Sequence, residues 1–191
     1  MHLTFSVRIQ EAADFIRSAV AARGSMWADL GAGAGVFTRA LVQLLGADSR
    51  IYAIERAEDA VASLTAWATA EAPNVTVIQA DFTAPLDLPE LDGIVLANAL
   101  HFVPDPAKVL AQLVTLLRPG GRVVLVEYDR RESSRWVPHP IPIASLRALA
   151  DAAGLGRPTV TESRPSEYGG ILYAAYADRK ADNQTENSPS R

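Results

Sequence analysis

The segment Asp29-Leu30-Gly31-Ala32-Gly33-Ala34-Gly35 combines a carboxylate with glycines at alternate positions. Such glycines let the chain turn sharply and bring a ligand against main-chain N–H groups at the start of a helix. Asp29 places a negative charge beside that turn, which opposes a pyrophosphate and favours an amino group. Glu55 follows twenty residues after Gly35, at the end of the next apolar run. A carboxylate there can accept both hydroxyls of a ribose. Together these groups point to a nucleoside ligand, and two kinds fit. A dinucleotide fingerprint, G-x-G-x-x-G or A, needs a small residue where this chain has Val36, so a nicotinamide nucleotide is disfavoured.

S-adenosylmethionine, which carries an ammonium and no phosphate, suits both carboxylates. Holding them in place requires a strand, a turn and a helix, and the patterning supplies these. Short apolar runs at Met26–Leu30, Ile51–Ile54, Val75–Ile78, Ile94–Ala97 and Val123–Val126 read as buried strands. Helix-period segments alternate with them. In the clearest, Val36, Phe37, Ala40, Leu41, Leu44 and Leu45 form one stripe, Arg39 and Gln43 point away, and Gly46 closes the helix. An amphipathic helix opens the chain, with Phe5, Ile9, Ala12, Ala13, Ile16 and Val20 on one face and Gly24 as its stop. Another runs from Pro106 to Leu117, before a tight turn at Pro119, Gly120 and Gly121. Alternating strands and helices predict a mainly parallel sheet covered on both faces. A helix over Ile143–Ala153 follows, and the runs Thr159–Thr161 and Ile171–Tyr176 predict an antiparallel hairpin.

The 191 residues are 49% hydrophobic and 21% charged, with a formal net charge of −4 and no cysteine. We expect one domain over residues 1–176, with an N-terminal helix within residues 1–24, and a polar, disordered tail over residues 177–191. Thiolate zinc sites, thiol nucleophiles and disulfides are excluded. No apolar run suits a signal peptide or a membrane span, so a cytoplasmic protein is expected. The mildly acidic balance gives no electrostatic footprint for nucleic acid or anionic lipid.

With these motifs in order, the chain resembles the class I S-adenosylmethionine-dependent methyltransferases, in the small type 11 or type 25 branch. Asp29, Gly31, Gly33 and Gly35 match the family's D/E-x-G-x-G-x-G, and Glu55 its acidic end of the second strand. Asp81 and Phe82 match the acid and apolar residue after the third strand, which by resemblance bind the adenine amino group and flank the ring. Asn98 and His101, in Asp92-Gly93-Ile94-Val95-Leu96-Ala97-Asn98-Ala99-Leu100-His101, match the fourth strand's exit near the sulfonium. Leu117-Arg118-Pro119-Gly120-Gly121 resembles the family's turn before strand five. Ala32 and Ala34 stand where relatives carry Cys, Ser or Thr. Arg56 stands where an apolar residue packs on adenine, a place its aliphatic stem can fill. The resemblance implies a Rossmann-like three-layer αβα sandwich with a seven-stranded, mainly parallel sheet and an antiparallel C-terminal hairpin. It implies S-adenosylmethionine as cofactor, S-adenosylhomocysteine as product, and cofactor contacts from Asp29, Gly31, Ala32, Gly33, Gly35, Glu55, Arg56, Asp81, Phe82 and Asn98.

Methyl transfer from a sulfonium is an in-line displacement, and a base is needed only when the acceptor carries a proton. His101 is the candidate for that role, beside a structural reading as a packed histidine. Trp136, His139 and Tyr168, with His101, are candidate substrate contacts. Arg164 and Glu167 are further candidates for a pocket wall. Arg130, Arg131 and Arg135 offer an anionic acceptor a partner, beside a reading as solvated charge. The three histidines are dispersed and no metal site is expected. A pyrimidine C5 acceptor needs a cysteine, and Asn98-Ala99-Leu100-His101 replaces the D/N-P-P-Y/F motif of DNA amino-methylating enzymes. A small-molecule acceptor is therefore expected rather than nucleic acid. Two alternatives stay open, a nicotinamide-dependent oxidoreductase and a non-catalytic S-adenosylmethionine-binding protein. Ser163, Tyr176 and Lys180 mimic a short-chain dehydrogenase set by chance.

Overall fold

The computed structural model describes residues 2–20, 25–129 and 132–181, with side chains from residue 8 onward. The elements run α1 (His2–Val20), β1 (Met26–Leu30), α2 (Val36–Leu45), β2 (Arg50–Glu55), α3 (Glu58–Glu71), β3 (Val75–Gln79), β4 (Leu91–Ala97), α4 (Pro106–Val114), β5 (Leu117–Asp129), α5 (Leu146–Ala152), β6 (Thr159–Pro165) and β7 (Ile171–Asp178). Short 3₁₀ turns at Leu100–Phe102 and Ile143–Ser145 precede α4 and α5.

The strands form one seven-stranded sheet in the order β3-β2-β1-β4-β5-β7-β6. β1 to β5 are parallel, and β7 is antiparallel to both β5 and β6. Side chains alternate across the sheet. Ala28, Leu30, Ile94, Leu96, Val123 and Leu125 pack with α4 and α5. Trp27, Ile51, Ala53, Val95, Val124 and Val126 pack with α1, α2 and α3. The expected Rossmann-like αβα sandwich with its antiparallel hairpin is the observed one. Its strand order reverses at β1, whose neighbours are β2 and β4, and in such sheets ligands bind outside the carboxyl ends at that switch.

Several boundaries move for identifiable reasons. α4 stops at Val114, three residues before the expected Leu117. The turn expected at Pro119-Gly120-Gly121 is absorbed into β5 as a bulge, where Leu91 pairs with Leu117 and Gly93 with Arg122. α3, to which the patterning gave no boundaries, is alanine-rich and fully buries only Leu64 and Ala68. Patterning also put the end of the last strand at Tyr176, yet β7 continues through Ala177 to Asp178. The buried guanidinium of Arg122 explains the extension, since Nε meets Asp178 Oδ1 at 2.6 Å while Nη1 donates to the Ala19 carbonyl at 2.9 Å. The expected disorder thus gives way to sheet at Ala177 and Asp178; residues 182–191, like Arg130 and Arg131, lie outside the described residues. No described helix is long and apolar enough to cross a membrane.

Gly93 sits in β4 beside the wholly buried Trp27, where a Cβ would lie 2.4 Å from the indole ring. Gly93→Ala should therefore cost about 1–3 kcal/mol or more through overpacking, read as a lower urea midpoint with an unchanged slope.

Candidate functional site

The glycine turn is fastened to β2 before any ligand is considered. The N–H groups of Gly31 and Ala32 both donate to the Ile54 carbonyl, at 2.9 and 3.0 Å. The Gly33 N–H donates to Glu55 Oε2 at 2.8 Å, and Glu55 Oε1 accepts the N–H groups of Arg56 and Ala57 at 2.8 Å each. This corrects the expectation of amides left open to a ligand, since these three are taken up by β2. Gly31 adopts φ +79°, and a Cβ there would meet Ala99 Cβ at 2.9 Å and Phe82 at 3.4 Å. Gly35, at φ +76°, opens α2, and a Cβ would lie 2.3 Å from Leu64. The first glycine thus keeps the cavity floor low, while the third lets α2 close on α3.

Above the turn lies a cavity of about 570 Å³ at the carboxyl ends of the strands. The exits of β1, β2 and β3 supply Gly31, Gly33, Ile54, Glu55, Arg56, Ala80, Asp81, Phe82 and Thr83, and the exit of β4 supplies Asn98, Ala99, Phe102, Val103 and Pro104. Seven cofactor candidates are brought together here, namely Gly31, Gly33, Glu55, Arg56, Asp81, Phe82 and Asn98. Asp29, Ala32 and Gly35 stand behind the wall. Asp81 closes a local turn by accepting the Thr83 N–H and hydroxyl at 2.9 and 2.7 Å. Those bonds, with Arg56 nearby, hold its carboxyl below the usual range.

Patterning missed Ile54, Ala80, Thr83, Ala99, Phe102, Val103 and Pro104, which line the cavity by backbone position rather than by chemical type. It also missed Glu127, although a carboxylate ending the apolar run Val123-Val124-Leu125-Val126 is a visible signal. Glu127 is fully buried. Its Oε2 meets His101 Nδ1 at 2.7 Å and its Oε1 accepts the His101 N–H at 3.2 Å. His101 is itself buried beneath the cavity wall, with Phe102 packed at 4.5 Å and Tyr128 edge-on at 5.9 Å between ring centroids. Its Nε2 and the Asn98 Oδ1 are the buried side-chain atoms without a partner among the described residues. Asn98 also adopts φ +53°, the one non-glycine residue in the left-handed region among those described.

The remaining candidates stand outside the lining. The exposed His139 donates its main-chain N–H to the His101 carbonyl at 3.0 Å, which fastens its loop to the β4 exit. Trp136, 64% exposed, lies under the guanidinium of Arg135 in the same loop, and Tyr168, 69% exposed, sits in the β6–β7 turn with Glu167. That turn is at the cavity end of the sheet, because Ile171 pairs with Asp129 at the end of β5. Arg164 instead packs over Phe15 of α1. Tyr176 lies under Arg122 and Lys180 reaches Asp151, so the dehydrogenase-like set builds no site. No metal-ligating cluster of three or more His, Cys, Asp or Glu occurs among the described residues.

A Rossmann-like sheet with a cavity at its switch point is the class of architecture that the fold defines. A family model described as a methyltransferase domain matches residues 28–125, and the chain belongs to that family. It is 35% identical over 127 residues to an uncharacterized methyltransferase of Mycobacterium tuberculosis, covering 66% of this chain and 48% of that protein. It is 31% identical over 134 residues to the ubiquinone biosynthesis O-methyltransferase of Methylococcus capsulatus, covering 68% of this chain and 53% of that one. The chain thus spans about half the length of these curated relatives. The fold is shared with a Burkholderia thailandensis 1,6-didemethyltoxoflavin-N1-methyltransferase, solved with bound 1,6-didemethyltoxoflavin and S-adenosylhomocysteine, at TM-score 0.69, 21% identity, and coverage of 92% of this chain and 79% of that one.

Asp29 lies in β1 and points away from the cavity into the α2 layer, where Oδ2 accepts the Thr38 hydroxyl at 2.6 Å. Burial raises its carboxyl to about 6, against the opposing pull of Thr38, and the charge of Glu55 adds to the rise. Between about pH 4 and 6 the folded protein keeps this proton while the unfolded chain has released it. Stability contributed at low pH is therefore lost as pH rises through that window, and the cost is complete above it. Asp29→Asn should flatten this decline and stabilise the protein at pH 8 by up to about 3 kcal/mol, measured by urea unfolding across pH 4–8.

Proposed function

We propose that the chain transfers a methyl group from S-adenosylmethionine to a small-molecule acceptor, in the cytoplasm, within the cavity at the β1/β4 switch. The observation that carries this reading is that cavity itself, of about 570 Å³, with Glu55 on one side and Asn98 at the β4 exit on the other. Its size suits a nucleoside with part of an acceptor. The residues fit the cofactor in chemical type. Glu55 accepts the ribose hydroxyls, Phe82, Ile54 and the stem of Arg56 flank the adenine, and Asp81 accepts from its amino group. Gly31 and Gly33 leave the floor free of side chains. Ala32 and Gly35 act through the shape of the turn, and Asp29 through its charge beneath it, which favours an ammonium.

When bound, S-adenosylmethionine supplies a methyl carbon made electrophilic by the sulfonium. The chain's part is to align the reactants and exclude water. Glu127 orients His101, since a carboxylate at Nδ1 requires the ring proton there and leaves the lone pair of the neutral ring on Nε2. For an acceptor that carries a proton we propose Nε2 as the base, a role that requires His101, enclosed in this structure, to be uncovered on binding. Trp136, His139 and Tyr168, outside the lining, are our candidates for contact with the acceptor's outer parts.

Two melts test the reading. S-adenosylhomocysteine at a hundredfold over its dissociation constant should stabilise the protein by about 2.7 kcal/mol, whereas NADH should not. A response to NADH alone would defeat the assignment. Glu55→Ala should weaken S-adenosylhomocysteine binding by about 1.5–3 kcal/mol, as charge-assisted ribose hydrogen bonds are lost, and isothermal titration calorimetry reads this directly.

A further inference from the structure

β2 holds the glycine turn only along its first half, since the bonds from Ile54 and Glu55 end at Gly33. The second half, Ala34 and Gly35, is gripped from the opposite side by a residue that belongs to none of the sequence motifs. Arg39, in the first turn of α2, reaches back toward the start of its helix, as long helical side chains do. Its Nη1 donates to the Ala34 carbonyl at 2.7 Å and to the Gly35 carbonyl at 3.1 Å. The Gly35 carbonyl also takes the Arg39 main-chain N–H at 3.0 Å, so one residue binds it twice.

The guanidinium is itself seated. It lies over the Trp67 ring of α3, 4.1 Å from the centroid. Burial pulls its pKa down, and the charge of Glu71, one helical turn beyond Trp67, opposes that pull. Gly35 makes the room, because a Cβ there would lie 2.6 Å from Nη1. A cation at this position does not suit α2 alone, whose N-terminus already carries partial positive charge and has no side-chain cap. What the side chain does for the turn explains it better.

The elements that Arg39 ties together are the ones that shape the cavity. The turn gives Gly31 and Gly33 to the lining, while α3 starts three residues after Glu55, whose Oε1 accepts the N–H groups of Arg56 and Ala57 leading into it. Arg39 does not line the cavity. Ala34 lies between two glycines at φ +53° and +76°, so without the second grip this segment has further backbone conformations open to it.

Resting on the methyl-transfer reading above, we infer that Arg39, seated on Trp67, is a positioning residue for the nucleoside cofactor, holding the far half of the glycine turn in its binding form through the Ala34 and Gly35 carbonyls. Its effect is pre-organisation. When only a fraction of the molecules has the binding form, apparent affinity falls by that fraction. With a turn that interconverts quickly, the loss appears as slower association and leaves dissociation alone. Removing a group that touches the ligand does the reverse, since such losses fall mostly on dissociation.

The test measures S-adenosylhomocysteine binding to the full chain by stopped-flow tryptophan fluorescence, with calorimetry for the equilibrium. Arg39→Met keeps a stem to pack on Trp67 but has no donor, and should slow association about tenfold while dissociation stays within about twofold. Arg39→Lys, which retains a donor for one carbonyl, should recover association to within about threefold of the unsubstituted rate. Hydrogen exchange of the ligand-free, unsubstituted protein gives a reading that needs no variant. The Gly35 N–H, bonded to the Ala32 carbonyl at 2.8 Å, should be protected to within about tenfold of the α2 amides. Unchanged association in Arg39→Met, an affinity loss carried by faster dissociation, Arg39→Lys as slow as Arg39→Met, or a Gly35 amide that exchanges as in an open loop each overturns the inference and leaves the methyl-transfer reading standing. Absence of S-adenosylhomocysteine binding by the unsubstituted protein defeats that reading and this inference with it.

Discussion

The cavity depends on the way β2 grips the glycine turn. One carbonyl, that of Ile54, takes two consecutive amides, and the next residue, Glu55, takes the third with its side chain. These bonds draw the chain down as it leaves β1 and aim α2 away from the opening. Glu55 therefore has two tasks that compete for the same oxygens. It braces the turn, and in the proposed reading it is also the carboxylate that takes the ribose. A bound nucleoside must share Oε2 with Gly33 or replace that bond, so recognition of the sugar is coupled mechanically to the turn beneath it.

The fold was legible because its signals are dense and mutually consistent. Fully buried parallel strands read as continuous apolar runs, and α2 and α4 carry strong stripes. α3 was harder to bound because alanine and threonine fill positions that Leu or Ile would otherwise mark, and its packing rests on Leu64 and Ala68. The end of β7 was misread for a different reason. Asp178 looks like the start of a polar tail, yet its partner is a buried arginine distant in sequence, and no local pattern reports such a pair.

The site divides along the same line. Gly31, Gly33, Glu55, Asp81 and Phe82 come together in one cavity because a tight turn and the strand ends place them at particular spacings. The β4 exit is not legible in that way, because its character comes from burial. His101 looks like an available base in sequence and is enclosed in the structure. Asp29 looks like a ligand contact and is a buried carboxyl bonded to Thr38. In both cases the residue type was informative and its orientation was not, since alternation along a strand decides which layer a side chain enters only after the sheet is assembled.

Among the described residues β7 is the last strand in chain order, but it lies inside the sheet, between β5 and β6. Until it is made, β6 has no neighbour to pair with and the long flank of β5 stays open. During synthesis the parallel half carrying the glycine turn and the β4 exit can form early, yet it presents a bare strand edge until the last part of the described chain arrives. That interval is when the protein is most prone to pair with another copy of itself, so slowing translation between β6 and β7 should favour aggregation rather than folding.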